Sequence, residues 1–161
     1  MVLEVFVAFT QGTVLNDLDR TLEAWNLAGL EPISVLCKME KFEIHRRVTA
    51  ENIAQRDYVL ADLMNEPIEK DFGELAEKLM AEHTDVGLLG AWRMGQTAKE
   101  LPNGVVICRK GIVEKWPEPH SATSTYIQEH AEAYQLVGWN VFLSNQIHYR
   151  RIPLSGQPAA L

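Results

Sequence analysis

The sequence predicts an α/β fold, a single three-layer domain on a mostly parallel central sheet. Three observations predict it. Short apolar runs of strand length alternate with stretches of helical spacing. The 161 residues suit one core, since single domains commonly take ~100–200 residues. With 47% hydrophobic and 23% charged residues, the composition is that of a globular chain able to bury a core.

Leu3 to Thr10, rich in Val and Phe and ending at Gln11-Gly12, is a buried first strand with a turn after it. From Asn16, an apt N-cap, Leu18, Leu22 and Trp25 fall on one helical face, and Gly29 stands beyond the helix end. Ile33 to Cys37 is a second strand, Phe42 to Val48 a further extended piece, and Thr49 to Gln55 a short helix. Asp57 to Asp62 is an apolar central strand that stops at an acidic residue.

Between Asp71 and Glu82 lies the clearest helix. Phe72, Leu75, Ala76, Leu79, Met80 and His83 form its apolar stripe, with Asp71 and Glu74 as a capping pair. Val86 to Trp92 and Gly104 to Cys108 are buried strands, and Lys110 to Trp116 is a short helix. Pro117 to Ser121 breaks the pattern, a helix runs from about Thr125 to Val137, and Asn140 to Ile147 is the last strand. Residues 1–152 form the domain, and 153–161, rich in Gly, Pro and Ala, form a flexible tail. In such an open sheet, ligands bind at the C-terminal ends of the strands, where Asp62 sits.

Fifteen basic against 22 acidic residues give a net charge of −7, which argues against nucleic acid as a partner. The two basic pairs, Arg46-Arg47 and Arg150-Arg151, read as solvated strand ends. Cys37 and Cys108 lie in apolar runs without metal-ligand spacing, as thiols do in a reducing compartment. There is no basic leader and no run near the ~20 apolar residues of a membrane span, so a cytoplasmic location is expected. Phosphate-loop, dinucleotide-binding and nucleophile-elbow motifs are missing from the sequence.

Three stretches together resemble the inverting nucleotide-sugar glycosyltransferases with the GT-A (nucleotide-diphospho-sugar transferase) fold. They are Tyr58 to Phe72, Leu75 to Gly90, and Gly138-Trp139-Asn140-Val141-Phe142 through His148-Tyr149-Arg150. In order and spacing the resemblance covers roughly residues 3 to 150. It implies transfer of a sugar from a nucleoside-diphosphate donor to an acceptor, with Mn²⁺ or Mg²⁺ at the diphosphate.

The acidic motif that holds the metal in that family corresponds to Asp62-Leu63-Met64-Asn65-Glu66, where two apolar residues interrupt the oxygen donors. Asp62 then binds metal or ribose, with Asn65 or Glu66 assisting. His148 falls where the family places a metal-facing histidine, although a structural hydrogen bond is an alternative role. Thr10 and Glu40 are the remaining nucleotide contacts that the resemblance implies. The family's acidic base has no direct match, since Tyr126-Ile127 stand at that spacing. Glu129, a turn later, is the candidate base, and it equally suits a wet helix face with Gln128, Glu132 and Gln135.

Two functions remain open. One is a divergent transferase acting on a nucleotide sugar. The other is a module that keeps the fold without the reaction, as a nucleotide or sugar binder or an assembly partner, and the short length favours it. Whether the domain pairs with a copy of itself or joins a larger assembly is open at this stage.

Overall fold

The computed structural model describes residues 3–36, 55–96, 104–110 and 140–155. These residues form strands β1 (Glu4–Phe9), β2 (Glu31–Leu36), β3 (Tyr58–Ala61), β4 (Asn65–Pro67), β5 (Val86–Arg93), β6 (Val105–Cys108) and β7 (Asn140–Arg151). Helix α1 (Leu15–Leu27) joins β1 to β2, and helix α2 (Phe72–Glu82) joins β4 to β5. The expected extended piece at 42–48, and the helices at 49–55, 110–116 and 125–137, fall wholly or largely outside the described residues.

All seven strands belong to one sheet in the order β2-β1-β3-β6-β5-β7-β4. The sheet is mixed, which corrects the expectation of a mostly parallel one. β1 pairs in parallel with β2 and β3, and β5 with β7, whereas β6 runs antiparallel to both its neighbours and β4 antiparallel to β7. The reason lies in the connections. A parallel return needs a crossover of a dozen or more residues, usually with a helix, while a short link favours antiparallel pairing. The link from Arg93 to Val105, eleven residues, falls just under that length.

The same chain constraint bends the sheet. Strand β4 starts just after β3 yet stands four places away in the strand order. In a flat sheet that separation would be about 19 Å at ~4.8 Å per strand, whereas the chain from Ala61 to Asn65 can span at most about 14 Å. The sheet therefore curls, and β4 comes to lie against α1, where Trp25 Nε1 donates to the Asn65 carbonyl at 3.2 Å.

One face of the sheet, with Val5, Val7, Val59, Ala61, Leu89, Ala91, Val105 and Ile107, packs under both helices. α1 contributes Leu18 and Trp25, and α2 contributes Phe72, Ala76, Leu79 and Met80. The rings of Trp25 and Phe72 meet edge to face at 5.2 Å. The opposite face, with Phe6, Tyr58, Leu60, Leu88, Val106 and Cys108, is buried too, although both described helices lie on the first. Neither helix is long and apolar enough to cross a membrane.

α1 ends in a Schellman motif. Gly29, at φ +80°, donates its N–H to Asn26 O, and Leu30 donates to Trp25 O. The helix begins one residue before the expected cap, because Val14 is the N-cap and Asn16 lies inside the first turn. Asp71 does stand at the N-cap of α2, but its side chain makes no capping bond. Its ψ of 27° departs from the extended backbone that aims a cap side chain at the first N–H groups.

At the other end of α2, the Arg109 guanidinium donates to the carbonyls of Met80, His83 and Val86 at 2.9–3.0 Å, and one of its nitrogens lies 3.8 Å from Asp57 Oδ2. A cation there also suits the helix dipole. Arg109→Ala leaves those carbonyls short of donors and should cost about 3 kcal/mol, read from the urea midpoint. Arg109→Lys, which lacks the fork, should recover only part of it.

The Tyr58 hydroxyl is buried and finds no hydrogen-bond partner among the described residues. Burial above all, then the adjoining Cys108, raises the phenol well above its ordinary value of 10.0. The unfolded chain ionises near that ordinary value while the folded state holds its proton. Stability is thus unaffected below it and falls above it, by about 1.4 kcal/mol per pH unit. In Tyr58→Phe the urea midpoint should lose this alkaline decline and hold or rise at neutral pH, since a buried hydroxyl without a partner is removed.

Candidate functional site

The strand order makes the shared end of β1 and β3 the candidate ligand edge. These strands are adjacent and parallel, with Val7 beside Ala61. From β1 the chain leaves through α1 toward β2 on one side, and from β3 it leaves toward β4 on the other. Adjacent parallel strands whose exits diverge form a topological switch point, where open α/β sheets bind ligands. Thr10 stands on one lip and Asp62 on the other.

The Thr10 lip is a tight turn. Thr13 N–H donates to Thr10 O, and Thr10 N–H donates to Thr13 Oγ1, each at 3.0 Å. The Thr10 side chain is exposed and its hydroxyl lies 3.4 Å from that of Thr13.

The Asp62 lip is a turn closed by Asn65 N–H on Asp62 O at 3.2 Å. Asp62 itself is half-buried, and its N–H donates to Gly104 O at 3.0 Å. Within the turn Met64 has a φ of +65°, a left-handed conformation that costs a side-chain-bearing residue about 1–2 kcal/mol. It persists because its surroundings hold both backbone groups. Met64 N–H donates to Thr21 Oγ1 at 3.0 Å, and Met64 O accepts from Ile152 N–H at 2.9 Å. Thr21 is fully buried and in turn donates to Asp17 O at 2.8 Å.

Gly104 lies at the same edge, opening β6. Its φ is +82°, and a Cβ there would stand 2.5 Å from the Tyr149 hydroxyl and 3.0 Å from Asn65 Nδ2. Asn65 Nδ2 donates to Gly104 O at 3.2 Å, while Asn65 Oδ1 is buried without a partner among the described residues.

Glu66 and His148 both lie on the β4–β7 ribbon, where Glu66 faces Arg150 in the register. Glu66 is buried, with Oε2 accepting from Arg20 Nε at 3.0 Å and Oε1 3.5 Å from Arg150 Nε. Hydrogen bonding to Glu66, with its charge, raises the Arg20 guanidinium. His148 Nδ1 lies 2.5 Å from Glu69 Oε1, and His148 N–H donates to Glu69 Oε2 at 2.9 Å. β7 meets the end of β5 with His148 beside Trp92, so His148 reaches the Asp62 edge of the sheet, but β6 and β5 stand between their strands.

This geometry bears on a divalent ion at Asp62, Glu66 and His148. Among the described residues no group of three or more His, Cys, Asp or Glu side chains could hold a metal. Glu66 faces a guanidinium at each oxygen, and His148 turns Nδ1 to Glu69, so these three do not fit a shared ion. Glu40 and Glu129 lie outside the described residues. The residues around the Asp62 lip that were not anticipated in that role, Thr21, Gly104, Tyr149 and Ile152, are distant from it in sequence. Only the polar Thr21 inside an apolar helical stripe is a signal of any kind.

No family model matches the sequence, and no curated protein matches it by sequence. Solved structures share its fold. One is a glycosyltransferase involved in the glycosylation of the major capsid of PBCV-1, with a TM-score of 0.52 and 11% identity over 89% of this chain and 82% of that one. Another, from Bacillus anthracis, is described as a "Putative Glucose-1-Phosphate Thymidylyltransferase" in complex with a sucrose. Its TM-score is 0.53 with 9% identity over 87% of this chain and 67% of that one. At these identities the likeness is one of fold.

Gly104→Ala would strain the backbone and drive a methyl into the Tyr149 hydroxyl. A loss of about 2–3 kcal/mol is expected. Adding Tyr149→Phe should recover only part of the loss, since the ring carbon Cζ would still stand 2.9 Å and Asn65 Nδ2 3.0 Å from the new methyl; thermal melts of the single and double variants measure that part.

Proposed function

We propose that this chain handles a nucleotide sugar, as a transferase of the glycosyltransferase type, with the nucleotide bound at the shared end of β1 and β3. The observation that carries the reading is the switch point itself, flanked by an exposed hydroxyl at Thr10 and a half-buried carboxylate at Asp62. The two similar structures support it. One is a glycosyltransferase and the other is described as a glucose-1-phosphate thymidylyltransferase.

A carboxylate only accepts hydrogen bonds, so Asp62 suits the ribose hydroxyls, which donate them. The Thr10 hydroxyl both donates and accepts, and suits the base or a phosphate oxygen. In the transfer, an acceptor hydroxyl attacks the anomeric carbon, gives its proton to a base and expels the nucleoside diphosphate. Glu129 is our candidate for that base, and Glu40 for a further nucleotide contact.

A second reading is favoured by the engagement of Glu66 and His148 with Arg20, Arg150 and Glu69. In that reading the domain binds the nucleotide or sugar and does not transfer it.

Thermal melts with UDP, GDP, dTDP and their sugar conjugates, with and without Mn²⁺, test the proposal. A ligand at 100 times its Kd should stabilise the fold by about 2.7 kcal/mol, and Asp62→Asn should abolish the shift, each variant being compared with its own ligand-free melt. Indifference to the whole panel would refute the reading. Binding with no turnover of the bound sugar nucleotide, in wild type and Glu129→Gln alike, would select the second one.

A further inference from the structure

We infer that Thr21 of α1 is a positioning residue for the nucleotide site, acting through the left-handed turn that carries Asp62. The inference rests on the reading above for its ligand and on the geometry of the turn for its mechanism.

Three consecutive residues of the turn and β4 are gripped by one face of α1. Thr21 Oγ1 accepts the Met64 N–H, Trp25 Nε1 donates to Asn65 O, and Arg20 Nε donates to Glu66. Of these, the Thr21 contact meets the residue whose backbone departs from the ordinary. A strained conformation persists only where its neighbours over-determine it, and such places cluster at ligand sites. Thr21 is also placed to be rigid. It is fully buried, its own hydroxyl proton goes to Asp17 O, and the Asp17 carboxylate accepts from the Ser155 N–H and hydroxyl. Thr21, Met64 and the segment from Ile152 to Ser155 thus form one clamp beneath the Asp62 lip.

Loss of the hydroxyl would let Met64 relax toward negative φ and swing the Asp62 peptide away from Gly104. The fold would remain, because the apolar contacts of α1 do not involve that oxygen.

The test compares Thr21→Val, which keeps the shape without the hydroxyl, with Thr21→Ser, which keeps the hydroxyl. The first readout is hydrogen exchange of the peptide spanning residues 62–66. Thr21→Val should speed it about tenfold or more and Thr21→Ser should not, since tenfold corresponds to one lost hydrogen bond. The second is the Kd for whichever of UDP, GDP or dTDP the wild type binds, measured well below the melting temperature. It should weaken about tenfold in Thr21→Val and hold in Thr21→Ser.

Unchanged exchange in Thr21→Val overturns the clamp, whatever the ligand. Faster exchange with an unchanged Kd overturns the positioning role alone. Faster exchange in a wild type that binds none of the three refutes the nucleotide reading and the positioning role with it, and leaves the clamp standing.

Discussion

The structure depends on one covalent constraint. Only three residues separate β3, third of the seven strands, from β4, at the far edge of the sheet. A chain that short cannot cross a flat sheet. The sheet must curl, and its curl brings the β4–β7 ribbon over α1 and closes the polar cluster of Arg20, Glu66 and Arg150. The tight turn that meets this constraint also carries Asp62. Fold closure and the candidate site therefore share one short segment, and strain appears there, at Met64.

That sharing explains why so many polar contacts gather around residues 62–66. A turn buried against a helix must satisfy its own backbone groups, since water cannot. Thr21 and Ile152 do this for Met64, Trp25 does it for the Asn65 carbonyl, and Gly104 receives the Asp62 N–H. Much of the hydrogen-bonding capacity in this region therefore serves the fold. Glu66 is the instructive case. Its position in an acidic motif suggests a metal ligand, but burial without a partner would be costly for a carboxylate, and two arginines meet that demand.

The elements themselves were legible in the sequence. Val and Phe at 5–7, Tyr58 to Ala61, Val86 to Trp92 and Val105 to Cys108 announce buried strands, because a strand covered on both faces is a continuous apolar run. The stripes of α1 and α2 were equally plain, and the structure buries Leu18, Trp25, Phe72, Ala76, Leu79 and Met80 as the spacing requires. Of the candidate site, only the strand-end positions of Thr10 and Asp62 were legible without coordinates. β4 was not legible. Three residues carry too little periodicity to announce a strand, and Asn65 to Pro67 read more readily as part of an acidic motif.

By itself the sequence determined where the chain is apolar with period two or with period 3.6, and so where both described helices and all the described strands but β4 lie, to within a few residues at their ends. Strand direction, strand order and the partners of the charged side chains were decided by the tertiary structure. The physical reason is that periodicity is a property of neighbours in the chain, whereas pairing and ion-pair formation join residues tens of positions apart. Thr21 with Met64, Arg20 with Glu66 and Glu69 with His148 are such pairs. Their geometry follows from the curl of the sheet, which no local pattern encodes.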